Sequence, residues 1–415
     1  MEQKRGNIIF AKQKITQEMN QLSDRVNNLA ASATFAMLQK TNELKAAGVD
    51  IISMSVGEPD FNTPDHIKEA AKKAIDDNYS RYSPVPGYAF LKKAIVEKLK
   101  KENGLDYKES EVLVSNGGKQ ALCNVVMALV NEGDEVIVPA PYWVSYPQMA
   151  ILAGGKPVYI SAGIEQNFKI TPEQLEKAIT PKTKLLILCT PSNPTGSVYS
   201  KDELEAIAKV VAKHPGMFVL SDEIYEHISY IGGCTSIATF PGMKDQVIVC
   251  NGVSKAYAMT GWRIGFIAAP EWIVKGVNKL QGQYTSGPCS LSQVAATVAL
   301  SGDQKCVEDM RVAFERRRDL IVELASQIPG LEVNRPDGAF YLFPKCSSFF
   351  GKKYGDRVIN TSSDLAMYLL EEAHVATVGG DSFGAPECFR MSYATSDENI
   401  KEALRRIKEA LAKLK

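Results

Sequence analysis

At 415 residues the chain is long enough for two domains and a large buried core. Its 48 Lys+Arg balance 48 Asp+Glu, so a formal charge of zero removes the electrostatic case for nucleic acid or an anionic membrane surface. No apolar run reaches the roughly 18 residues that span a bilayer, and the four histidines lack metal-ligand spacing.

Residues 1–18 read as a flexible extension, since "NIIFA" is too short for the apolar core of a secretory signal. Residues 19–62 are too few for a core of their own and are expected to join the C-terminal part of the chain. From about residue 110, short β-branched runs alternate with helical stretches. "EVLVS", "DEVIVP", "PVYIS", "KLLILCT", "MFVLSD" and "QVIVCNG" are the runs; "KQALCNVVMALVNEG", "WVSYPQMAILAGG" and "KDELEAIAKVVAKH" are helical. Runs this short and apolar throughout predict an α/β domain over 63–303, its sheet mainly parallel and covered by helices on both faces. Chemistry in such sheets lies at the carboxyl ends of the strands. The tail, 304–415, reads as a smaller α+β domain. It holds the helix "CVEDMRVAFERRRDLIVELASQI", short strands "LEVNRP", "GAFYLFP", "VATVGG" and "CFRMSYA", and two further helices. Eight cysteines form no CxxC pair, and several sit inside apolar runs, which suits a reducing cytoplasm.

Four strand ends carry residues of chemical interest. In "SNGGKQAL" a strand passes through Gly117 and Gly118 into a helix, either a plain turn or an anion site at a helix N-terminus. In "TPSNPTG" two prolines hold Asn193, either for an Asx turn or to present its amide. In "MFVLSDEIYEH" Asp222 closes an apolar run with Tyr225 three residues on, either as a helix cap or as a carboxylate seeking a cation. In "SKAYAMTGWRIGF" Lys255 and Arg263 stand among small and apolar residues between two strands. They are either edge residues facing solvent or a neutral nucleophilic lysine beside an anion-binding arginine.

These motifs, with "VGEPDFNTP", "SRYSPVPGYAFLKKAI", "PYWVSYP" and "FRMSYA", resemble in content and order the class I aminotransferases, pyridoxal-phosphate enzymes of fold type I. The bacterial aspartate aminotransferases are the most similar branch, and the likeness runs from Leu22 to the last helix. The resemblance implies a large domain with a mainly parallel seven-stranded sheet sandwiched by helices, beside a smaller α+β domain. It implies that Lys255 carries the cofactor as a Schiff base and moves the substrate proton in a ping-pong reaction. Asp222 would pair with the ring nitrogen, and Tyr225 and Asn193 with the ring oxygen. Arg263, Ser254 and the Gly117–Lys119 turn would hold the phosphate, Trp143 would stack on the ring, and Tyr82 would reach the phosphate of a partner subunit in a homodimer. Arg390 would bind the substrate α-carboxylate, with Asn193, Trp143 and the Gly57 backbone assisting. Lys119, Ser32 and Thr34 would meet a distal carboxylate.

Two departures from the family pattern stand out: Ala31 where "PSAT" has proline, and Gly252 where some relatives have a phosphate-binding serine. The implied activity is aspartate:2-oxoglutarate aminotransferase. Alternatives are glutamate/aspartate–prephenate or aromatic aminotransferase, a C–S lyase, and, from another class, a PLP-sensing regulator. A regulator needs a DNA-binding domain, for which the roughly twenty residues before the matched region are too few.

Overall fold

A computed structural model describes residues 22–31 and 33–415. Its centre is a seven-stranded sheet of β1 (Val112–Asn116), β2 (Glu135–Ala140), β3 (Lys156–Ser161), β4 (Thr183–Cys189), β5 (Phe218–Asp222), β6 (Val247–Gly252) and β7 (Ile264–Ala268), in the order β1-β7-β6-β5-β4-β2-β3. Every pairing is parallel except those of β7, which runs against both β1 and β6.

The apolar runs of the inner strands are continuous because both faces of the sheet are buried there, whereas the edge strand β3 is largely exposed. Successive side chains of a strand point to opposite faces, so Leu186 and Leu188 enter one core while Leu185 and Ile187 enter the other. Val219 and Val249 follow the first set, Leu220 and Ile248 the second. Burying each such side chain contributes about 1.5–3 kcal/mol. The covering helices start on caps legible in the sequence: Ser200 and Glu203 form a capping box at Lys201–Val211, and Thr171 and Gln174 form one at Pro172–Ala178.

The tail builds a second core on helices Lys305–Ser326, Ser362–Glu372 and Asp397–Ala412 around an antiparallel sheet of Val378–Gly379, Phe389–Ser392 and Tyr341–Leu342. The N-terminal segment joins it: Ile52–Ser53 pairs in parallel with Val375–Ala376, Asp60 takes two hydrogen bonds from Arg317, and Phe61 packs edge-on to Phe314. "VATVGG" therefore divides into two short strands with different partners. "LEVNRP" forms no strand, only a single bridge from Glu332 to Lys345. There the Asn334 side chain replaces a ladder, donating to the Thr195 carbonyl and accepting from the Phe343 amide.

Register fixes what stands together. Cys189 lies beside Asp222, Asp222 beside Cys250, and Gly252 beside Gly265. Because β7 is reversed, its first residue sits at the edge where the parallel strands end, and Arg263 precedes it there.

Candidate active site

A cavity of 470 Å³ opens at that edge, between the large sheet and the smaller core. Lys255, Asp222, Tyr225, Asn193, Trp143, Gly118, Lys119, Ser254, Arg263, Gly57, Thr34 and Arg390 all line it. Gly117 lies just behind, against the Arg263 guanidinium. Tyr82 is elsewhere, 98% exposed, and Ser32 falls outside the described residues.

Lys255 follows the end of β6 and turns inward, so the reading of an edge lysine in solvent fails. Its Nζ donates to the Gly57 carbonyl at 2.6 Å and lies 5.8 Å from the centre of the Tyr225 ring. Burial pushes the ammonium down to about 8, against the pull of Glu58 and with help from Arg390 and Arg263. About a tenth of it is therefore neutral and nucleophilic at pH 7, far more than of an ordinary lysine. Asp222 ends β5 and is buried; its carboxylate accepts from the Tyr146 hydroxyl at 2.7 Å and from the Ile224 amide at 3.3 Å. Burial raises its pKa, while the Tyr146 bond and Lys255 oppose the rise. A carboxylate so desolvated gains most from a protonated nitrogen.

The anion end is built from backbone. Gly117, at φ +83°, caps helix Gly118–Leu129 without a side-chain cap hydrogen bond. Arg263, itself left-handed at φ +58°, donates to the Thr260 carbonyl at 2.9 Å and the Asn116 carbonyl at 3.3 Å. A β-carbon on Gly117 would collide with its guanidinium. Open amides at a helix N-terminus and a guanidinium on one spot suit a phosphate. Lys119 opens the same helix with its Nζ 4.8 Å from the Trp143 ring centre; burial, then Arg263, lowers its pKa. At Gly252 a β-carbon would lie 2.7 Å from the Ile264 carbonyl oxygen, so a serine has no room there.

The opposite wall comes from the smaller core. Arg390, on strand Phe389–Ser392, is 2% exposed. It donates to Asn193 Oδ1 at 2.8 Å and the Ser55 carbonyl at 2.6 Å, and stacks over the rings of Tyr341 at 4.6 Å and Phe383 at 5.0 Å. Its Nε has no hydrogen-bond partner among the described residues, and no carboxylate there forms an ion pair with it. A buried guanidinium without a counter-ion is poised for an anionic ligand.

Residues 49–407 match the family model for aminotransferase class I and II. The chain is 51% identical to a probable aspartate/prephenate aminotransferase of Rickettsia bellii, the match covering 95% of this chain and 100% of the relative. Among solved structures, it superposes on the aspartate aminotransferase of Rhizobium meliloti with a TM-score of 0.92 at 43% identity, covering 95% of this chain and 100% of that one. Aspartate aminotransferase of Thermus thermophilus with maleate matches at a TM-score of 0.88 and 41% identity, over 94% and 99% of the two chains. The chain belongs to the class I and II aminotransferase family.

The aminotransferase cavity also contains side chains to which the sequence motifs assigned no role. Tyr146 holds Asp222; Tyr341 lies 2.7 Å, oxygen to oxygen, from Tyr225; Glu58 accepts from Thr260 at 2.9 Å on the rim. Tyr146 carries a weak signal, three residues after Trp143 and so on the same side of a helical turn. Tyr341 carries none, because its partners are far away in sequence.

Proposed function

We propose that this aminotransferase uses pyridoxal 5′-phosphate and exchanges the amino group of L-aspartate with 2-oxoglutarate, giving oxaloacetate and L-glutamate. The observation that carries the proposal is the convergence on one cavity of a lysine pushed down to about 8, a buried carboxylate and a buried arginine with no counter-ion among the described residues. The donor set fits the cofactor. The Gly117–Lys119 amides, Arg263 and Ser254 would hold its phosphate, Asp222 its ring nitrogen, Tyr225 and Asn193 its ring oxygen, and Trp143 its face. When bound, it supplies an electrophilic carbon for amines and a sink for carbanion charge.

The chain's own residues do the rest. Lys255 would take the proton from the substrate Cα and hold it for return, as a general base and acid with a pKa near working pH. Arg390, already oriented by Asn193 and Ser55, binds the α-carboxylate. Gly57 lends backbone to the same end of the substrate. Lys119 and Thr34 line the cavity and would meet a distal carboxylate, a role Ser32 would share. Tyr82, exposed on its own chain, would serve the phosphate of a second copy in a homodimer. Eight free cysteines suit a cytoplasmic enzyme.

Prephenate is the second amino acceptor to consider, because it carries two carboxylates and appears in the name of the Rickettsia bellii relative. A transamination panel of aspartate, prephenate, tyrosine and alanine on PLP-loaded protein tests both readings, with aspartate expected to be the best donor. Lys119→Ala should cost aspartate roughly 10- to 100-fold in kcat/KM, the worth of a hydrogen bond to a charged group, and alanine far less. Equal losses for both would reduce Lys119 to a phosphate ligand and remove the case for dicarboxylate preference.

A further inference from the structure

Tyr341 stands where the two walls of the cavity meet. It is fully buried, on the short strand Tyr341–Leu342 that pairs with the strand bearing Arg390. Three groups of the site touch it. Its hydroxyl is 2.7 Å from that of Tyr225, the Arg390 guanidinium lies 4.6 Å from its ring centre, and its hydroxyl packs so closely on Gly57 that a β-carbon there would collide with it. Gly57 in turn accepts from Lys255 Nζ.

Two hydroxyls at this separation have one proton between them, so one donates and the other accepts. Tyr225 is the hydrogen-bond partner of the Tyr341 hydroxyl among the described residues. With Tyr341 donating, the Tyr225 proton is left to point into the cavity that Tyr225 lines. The cation stacked on Tyr341 favours this direction, since nearby positive charge makes a phenol more acidic and a stronger donor. Successive donors polarise one another along the chain.

We propose that Tyr341 is a positioning residue: it makes Tyr225 a donor into the cavity, and it weakens that donation when a carboxylate neutralises Arg390. The proposal rests on the PLP aminotransferase reading. With Arg390 bare, Tyr225 holds an anionic ring oxygen tightly, and the nitrogen Lys255 contributes stays weakly basic. A carboxylate on Arg390 relaxes Tyr341, then Tyr225, and that nitrogen becomes readier to accept a proton as an amino acid arrives.

The test follows the pH dependence of the visible absorbance of PLP-loaded protein, with and without maleate, a dicarboxylate that has no amino group to transfer. Tyr341→Phe keeps the ring under Arg390 and removes only the hydroxyl. It should raise the titration midpoint by about 0.5–1 unit, the scale of one lost hydrogen bond to the anionic form, and shrink the maleate-induced rise by at least half. Turnover should fall several-fold while the KM for aspartate stays close to wild type. In a Tyr225→Phe background, Tyr341→Phe should move the midpoint no further. An unmoved midpoint in Tyr341→Phe, or single shifts that add fully in the double variant, overturns the proposal. Should Tyr341→Phe not fold, Tyr225→Phe decides by itself, and a maleate shift of wild-type size in it overturns the relay. Wild-type protein that takes up no PLP would instead overturn the functional reading beneath.

Discussion

The two walls of the cavity are built on different principles. The large-domain wall consists of strand ends: Asp222, the Gly117–Gly118 turn, Asn193, Lys255 and Arg263 each sit within a few residues of a buried strand, held by ladder hydrogen bonds. The facing wall depends on contacts far apart in sequence, in which Arg390 reaches Asn193 and Ser55, and Tyr341 reaches Tyr225 and Gly57. A wall made of strand ends is rigid and suits a cofactor that stays. A wall assembled from side chains of separate segments depends on tertiary packing, and it carries the guanidinium that would meet a substrate carboxylate.

Removing Lys255 should have the largest effect, because it belongs to both walls through its bond to Gly57. Lys255→Ala should lose roughly 10⁴-fold or more in turnover, at least the scale of a lost acid–base group. Borohydride reduction of the PLP-loaded wild type should attach label to the Lys255 peptide; label on another lysine would break the assignment of both walls.

A paired comparison separates the walls. Asp222→Asn keeps the shape but gives up the charge facing the ring nitrogen. It should lower kcat roughly 10²- to 10³-fold, as loss of a preorganised electrostatic partner does, with little change in KM. Arg390→Gln should instead raise the KM for every amino acid, by roughly 10- to 100-fold for one charged hydrogen-bonding group, and leave cofactor uptake intact. Steady-state kinetics on two donors and a cofactor titration measure both. If Asp222→Asn moved KM and Arg390→Gln moved uptake, the division of labour would be wrong.

The smallest effect is a pH shift. Only the neutral amine of Lys255 attacks an aldehyde, so PLP attachment to the apoprotein should speed up with pH and level off above about 8, the value to which burial pushes this lysine. An unperturbed lysine would keep accelerating toward 10.5. Arg390 and Arg263, one from each wall, both push the group downward, so Arg390→Gln should move the midpoint upward. A midpoint indifferent to Arg390 would show that the walls are electrically separate at Lys255.

What was legible in the sequence follows this same division. Strands buried on both faces are continuous apolar runs, and their ends are marked by the residues that stop them, so "LLILCT", "MFVLSD" and "QVIVCNG" located both the sheet and Asn193, Asp222 and Lys255. These are local signals: the apolar period and a glycine at positive φ are properties of a few neighbouring residues. Nothing local says that β7 runs backwards, yet that reversal brings Arg263 over Gly117. Nor does "LEVNRP" announce that Asn334 will satisfy the backbone in place of a strand. Tyr146 and Tyr341 look like core aromatics until Asp222 and Tyr225 are placed against them. Chain order decided which groups are present and at which strand ends; the packing of the smaller core against the sheet decided which of them touch, because a contact between Tyr341 and Tyr225 spans 116 residues and leaves no period in the sequence between them.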